Sequence, residues 1–218
     1  MARWQAKTAY AKSADTRRTI LDAALQAFGE ASFDAVSTRA IAARAGVNQP
    51  AIAYYFKNKE GLYRACAQEI VDRTAERTAE ASIAALEALN RQATPDEARA
   101  LLKTLLADLA DVLVSSGEAT TWAAFVQREL SDPGPAHALL SEHLWLPGID
   151  LVAHLIAAIK QAGSVDDQSR VEAIMLISNL TVFTAGRSVS AQAMGWGDMG
   201  PGELALVLRA INAQIDGI

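Results

Sequence analysis

"VSTRAIAARAGVNQPAIAYYFKNKEGL", residues 36–62, decides the fold. Ser37 is an N-cap for the run "TRAIAARA", and Gly46 stands at the C′ position where a left-handed residue stops a helix. Val47 fills the turn. Asn48 caps a second short run, with Pro50 in its first turn where a missing N–H costs nothing, and that run continues through Phe56. Ile41, Val47, Ile52, Phe56 and Leu62 are the inward positions. Two short helices joined by Ala45-Gly46-Val47 carry the signature of a helix-turn-helix.

Outward from this segment the pattern stays helical. Apolar residues recur at spacings of three and four, and no alternating Val/Ile/Thr-rich runs appear, so the chain reads as all-α with about nine helices. A first helix begins after Asp15, buries Ile20, Leu21, Ala24, Leu25 and Phe28, and ends within residues 29–32. Asn58 caps a fourth helix over 59–90, and Pro95 opens a fifth that Gly117 ends. A sixth covers 119–130 before "SDPGP". A short and a longer helix flank Pro147, a long one covers 166–194, and the last runs over 203–215. Asp166 and Asp167 most simply serve the N-terminus of the 166–194 helix. The expected organisation is a basic arm over 1–14, a helix-turn-helix domain over 15–63 and a larger helical domain over 64–218.

Charge divides along the same line. The net charge of -5 argues against a polyanionic partner only as an average. Ten Lys or Arg against five Asp or Glu give residues 1–65 a formal +5, which leaves -10 on the remainder. One end of the molecule is suited to a polyanion. The lone Cys66 excludes an intrachain disulfide, reads as a buried small hydrophobe, and fits a reducing, cytoplasmic setting. The N-terminus has no apolar core of a secretion signal, and no uninterrupted apolar run of about 20 residues spans a membrane.

In a helix-turn-helix the second helix presents its N-terminal residues to base edges. Here these are Asn48, Gln49, Pro50 and Ala51. Gln49 carries a donor and an acceptor for an adenine edge, and Pro50 and Ala51 suit a thymine methyl. Ser37 and Thr38 offer donors to phosphate at a helix N-terminus, and Arg39 reaches a phosphate or a guanine. Tyr54, Tyr55, Lys57 and Lys59 cluster at the far end of the second helix. Together, "ILDAALQAFGE" and "VSTRAIAARAGVNQPAIAYYFKNKEGL" resemble the TetR-type transcriptional regulators over residues 16–63. The resemblance implies operator contacts at Thr38, Arg39, Gln49, Pro50, Ala51, Tyr55 and Lys59, with Tyr55 and Lys59 gripping the backbone. Ala53 departs from the pattern, since many members have Tyr there, and it leaves the role of Tyr54 open. The arm residues Arg3, Lys7 and Lys12 are candidates for minor-groove contact.

The resemblance further implies a ligand-binding and dimerisation domain whose last two helices pair with a second copy. The apolar Ile174, Met175, Ile177, Leu180, Val182 and Phe183 cover more of their helix than one core needs, and Leu204, Leu206, Val207, Leu208 and Ile211 continue the pattern. A homodimer would present two recognition helices to a near-palindromic operator. Polar or aromatic tips among apolar neighbours make Trp122, Phe125, Arg128, His143, Trp145, His154, Asn179, Phe183 and Arg187 the candidates for a small-molecule effector. "FVQREL" followed by Pro is similar to a Phe-x-x-Arg-Glu segment of one TetR subgroup, often associated with control of transport genes. No cofactor, metal site or enzyme fingerprint is expected: His137, His143 and His154 lack ligand spacing, and nucleophile elbow, P-loop and dinucleotide motifs are missing. The leading expectation is a homodimeric repressor released by its effector. Rival readings are a helical adaptor binding a protein through the basic head, and an enzyme in the acidic body.

Overall fold

The computed structural model describes the backbone of residues 2–115, 119–184, 186–197 and 199–218, and side chains from residue 13 onward except Ser115. Among these residues all regular structure is helical: α1 (Ala2–Glu30), α2 (Thr38–Arg44), α3 (Gln49–Phe56), α4 (Lys59–Asn90), α5 (Pro95–Ala110), α6 (Ala119–Ser131), α7 (His137–Leu140), α8 (Leu146–Ile159), α9 (Asp167–Thr181), α10 (Arg187–Met194) and α11 (Pro201–Asp216). The backbone forms two compact units, residues 1–70 with 124–139, and residues 71–123 with 140–218.

In the first unit α1 buries Ile20, Leu21, Ala24, Leu25 and Phe28, as their spacing predicts. It starts well ahead of Asp15, because residues 2–15 hold no Gly or Pro and are rich in alanine, which favours helix. The side chains of Arg3, Lys7 and Lys12 lie outside the described residues. Ile41, Ile52, Phe56 and Leu62 are buried, whereas Val47 in the turn is half-exposed. Phe28, Phe33 and Phe125 surround the Tyr63 ring at centroid distances of 4.7, 5.0 and 4.7 Å. Phe28 and Phe33 meet it edge-on, the arrangement that aromatic quadrupoles favour. Cys66 is fully buried, and burial pushes its thiol far above the ordinary range.

In the second unit α8 packs against both α5 and α9, and α11 lies on α5. Its core is built from Leu102, Leu106, Leu155, Ile156, Leu176, Leu180, Ile211 and Ile215. Thr94 caps α5 by accepting from Glu97 N at 3.3 Å, and Asp166 caps α9 by accepting from Ser169 N at 2.8 Å. α5 ends in a π-helical turn, Asp111–Ser115, and a second such turn, Ser141–Trp145, joins α7 to α8. Pro147 therefore falls in the first turn of α8, where its missing N–H is tolerated. The expected stop at Gly117 lies outside the described residues.

The single helix expected over 166–194 is two helices, α9 and α10. A Cβ on Gly186 would stand 2.7 Å from the Val182 carbonyl oxygen, so the chain turns tightly where a continuous helix was expected. The run His137–Ile159 is long and apolar enough to cross a membrane by length and composition. Its α8 part instead buries Val152, Ala153, Leu155, Ile156 and Ile159 in the protein core.

Candidate nucleic-acid interface

Both helices of the 36–62 segment begin where a polar side chain replaces the missing carbonyl acceptors of a first turn. Ser37, in extended backbone, accepts from Ala40 N at 3.1 Å, and Asn48 does the same for Ala51 N at 3.1 Å. Gly46 at φ 66° makes the bend between them. Gln49 Nε2 donates to Thr38 Oγ1 at 3.3 Å, which joins the two helix starts side by side. That bond uses one of the two amide hydrogens of Gln49 and leaves its carbonyl oxygen and the other hydrogen open. Ser37, Arg39, Asn48, Gln49 and Pro50 are exposed, and Thr38 and Ala51 half-buried.

The far end of α3 is held by an unusual turn. Asn58 N donates to Phe56 O at 2.8 Å around Lys57, whose φ of 68° and ψ of -57° describe a γ-turn. This strained conformation turns Lys57 out to solvent. The next helix starts hard against it: Asn58 Oδ1 accepts from Gly61 N at 2.7 Å, and a Cβ on Gly61 would lie 2.1 Å from Phe56 O. Only glycine permits that approach.

Tyr54 is 80% exposed and meets Tyr55 edge-on at 4.9 Å. Tyr55 is half-buried, and its hydroxyl shares a hydrogen bond with Ser13 Oγ at 3.1 Å. Of the pair, Tyr54 is therefore the accessible ring. Lys59 is half-buried, with its Nζ 4.4 Å from the Phe33 ring centroid and donating to Asp34 O at 3.4 Å. Sequence reasoning passed over Ser13 and Arg17, whose guanidinium lies 5.3 Å from the Phe56 ring. Their i, i+4 spacing on α1 was the available signal.

The nine effector candidates are divided between the two units. Phe125 and Arg128 belong to the first unit, because α6 passes from one unit to the other between Ala123 and Ala124. Phe125 packs on Tyr63, and Arg128 Nη2 donates to Gly29 O at 3.1 Å. In the second unit Trp122 is buried, with the Arg73 and Arg77 guanidinium carbons 5.7 and 5.9 Å from its ring. Asn179 Nδ2 donates to Gln214 Oε1 at 2.8 Å, which ties α9 to α11. Phe183 lies 6.2 Å from Trp196, and Arg187 Nη1 donates to Thr120 Oγ1 at 3.4 Å. Trp145 is half-buried, whereas His143 and His154 are exposed, with His154 beside Asp150 on its own helix. No group of three or more His, Cys, Asp and Glu among the described residues is placed to hold a metal ion.

Residues 20–66 match the family described as bacterial regulatory proteins, tetR family, and residues 98–218 match the C-terminal domain of the HTH-type transcriptional dual regulator CecR. CecR of Shigella flexneri is 31% identical over 207 residues, 94% of this chain and 92% of that protein. The chain belongs to the TetR family. TetR-family regulators act on transcription and are not enzymes. The fold matches too. A TetR-like regulator from Rhodococcus sp. RHA1 superposes with a TM-score of 0.64 at 20% identity, covering 92% of this chain and 93% of that one. The regulator FadR of Bacillus subtilis, solved in complex with stearoyl-CoA, gives 0.59 at 19% identity, covering 92% and 98%.

Proposed function

We propose that this TetR-family regulator is a cytoplasmic repressor that binds a near-palindromic operator as a homodimer and leaves it when a small molecule binds. The observation that carries the reading is the exposed set Ser37, Arg39, Asn48, Gln49, Pro50, Tyr54 and Lys57 on the two adjacent helices of the basic unit. Residues 15–63 form the DNA-binding domain, 64–218 bind the effector and the second copy, and the basic arm, whose residues 2–14 are the first half of α1, adds contacts to the DNA. Ser37 and Thr38 hold phosphate at a helix N-terminus, Arg39 takes a phosphate or guanine, and Gln49, Pro50 and Ala51 read bases. Tyr54, Tyr55, Lys57 and Lys59 take the backbone.

Apolar residues left exposed on α9 and α11 support the dimer. Ile174, Met175 and Val182 face away from the buried Ala173, Leu176 and Leu180, and Leu206 is exposed on α11. A stripe of this kind is covered in a two-fold interface. Acyl-CoA thioesters are reasonable first effectors to screen, because FadR binds one on the same fold. CecR is a dual regulator, which favours activation at some promoters as the second reading.

The deciding experiment is fluorescence anisotropy of the full chain with a duplex from its own upstream region and with a random duplex. Specific binding at about 10 nM or tighter, falling steeply with salt, is expected. Equal affinity for both duplexes would turn the reading toward the protein-binding adaptor.

A further inference from the structure

We propose that Glu129 is a positioning residue for Lys59, acting through Tyr63 and Phe33, and that Phe125, Arg128 and Glu129 of α6 form a clasp that holds the helix-turn-helix head. The proposal rests on the DNA-contact role of Lys59 stated above. At spacing i, i+3, i+4 the three residues share one face of α6. Each is spent within the first unit. Phe125 lies against the Tyr63 ring, and Arg128 grips the Gly29 carbonyl at the end of α1. Glu129 is 1% exposed, and its two oxygens take one donor each: Tyr63 Oη at 2.5 Å and Gly134 N at 3.2 Å.

A carboxylate is expensive to bury, so its retention here points to geometry rather than to stability alone. A Cβ on Gly134 would stand 2.5 Å from Glu129 Oε1, so the loop after α6 is shaped to the carboxylate. The Tyr63 hydroxyl, fixed by this bond, sets the ring that meets Phe33 edge-on at 5.0 Å. Phe33 is in turn the platform under the Lys59 ammonium, which donates to Asp34 O. A cleft of about 200 Å³, lined by Ser32, Phe33, Asp34, Tyr63, Glu129 and Pro133 among others, opens beside this chain of contacts. Phe33 also stacks on Phe28 at 6.2 Å, so the clasp reaches it through the Tyr63 ring that Glu129 holds. Burial, and then the bond to Glu129, hold the Tyr63 hydroxyl well above the ordinary tyrosine range, so it stays a neutral donor.

The test measures operator affinity of the full chain against salt concentration for wild type, Lys59→Ala, Tyr63→Phe, Glu129→Ala and Glu129→Gln, with circular dichroism melts to confirm that each is folded. Tyr63→Phe changes no shape and carries the test should Glu129→Ala fail to fold. Both are expected to weaken binding about tenfold and to lower the salt slope by about one phosphate contact, with no further loss in a Lys59→Ala background. Glu129→Gln, which still accepts from Gly134 N and donates to the Tyr63 oxygen, is expected to restore the wild-type slope. An unchanged slope in folded Tyr63→Phe, or losses that add to those of Lys59→Ala, overturns the clasp and leaves the DNA-binding reading standing. A Lys59→Ala slope equal to wild type also overturns it, since nothing would then be positioned. If the wild type binds no DNA, the function proposed above fails first.

Discussion

Gly61 and Lys57 show how tightly single residues constrain the end of the recognition helix. A methyl group at 61 has nowhere to go but into the Phe56 carbonyl oxygen. Gly61→Ala should therefore cost about 2–3 kcal/mol, read as a lower melting temperature. Lys57 is the opposite case, since its φ of 68° is a conformation that only glycine adopts freely. Lys57→Gly is expected to be no less stable than wild type and yet to weaken operator binding, which separates strain from charge in one substitution. Lys59→Ala should weaken binding to all sequences and reduce the salt slope, while Gln49→Ala relaxes preference at one operator position; binding-site selection distinguishes the two.

At the scale of elements, the caps predicted from Ser37, Asn48 and Asn58 are all made, because each needs only a short polar side chain ahead of a helix. Asp166 at the start of α9 is a further case, and it responds to pH. Hydrogen bonds from the Ser169 hydroxyl and backbone N–H hold its carboxyl below the ordinary value. A depressed folded value means that the stabilisation is present above the unfolded value of about 3.9 and is lost as pH falls through the folded one. Asp166→Ala should thus lower the melting temperature at pH 7, with the gap to wild type narrowing below about pH 4. The split of the 166–194 helix was not legible in the same way. Its residues keep a helical apolar spacing, and the break after α9 appears only in the close approach of Gly186 to the Val182 carbonyl.

For the whole molecule, the exposed apolar residues of α9 set the oligomeric prediction. Met175, 61% exposed in the single chain, lies at the middle of that stripe. Met175→Glu should leave a folded monomer by light scattering and lose high-affinity operator binding, since two linked heads bind far better than one. If the variant remained a dimer, the interface would lie elsewhere.

Local rules settled most of what residues 36–62 do. Capping, glycine geometry and helical spacing act within a few residues, so the all-α class, the helix-turn-helix and its core at Ile41, Ile52, Phe56 and Leu62 could be read from the chain. Val47 escaped because a turn residue buries only as much as its neighbours allow. Long-range assignments were beyond that reach. Nothing in "FVQREL" says that Phe125, Arg128 and Glu129 close on Tyr63 and Gly29, residues 62, 99 and 66 positions away in sequence. Nor does the sequence say that Tyr55 turns its hydroxyl to Ser13 while Tyr54 faces solvent. Within residues 36–62 sequence alone determined which helices form and where they stop, because those choices are made by neighbouring backbone groups. Which buried polar groups find each other, and so which surface is left free, was decided only by tertiary packing, where distant side chains compete for the same few partners.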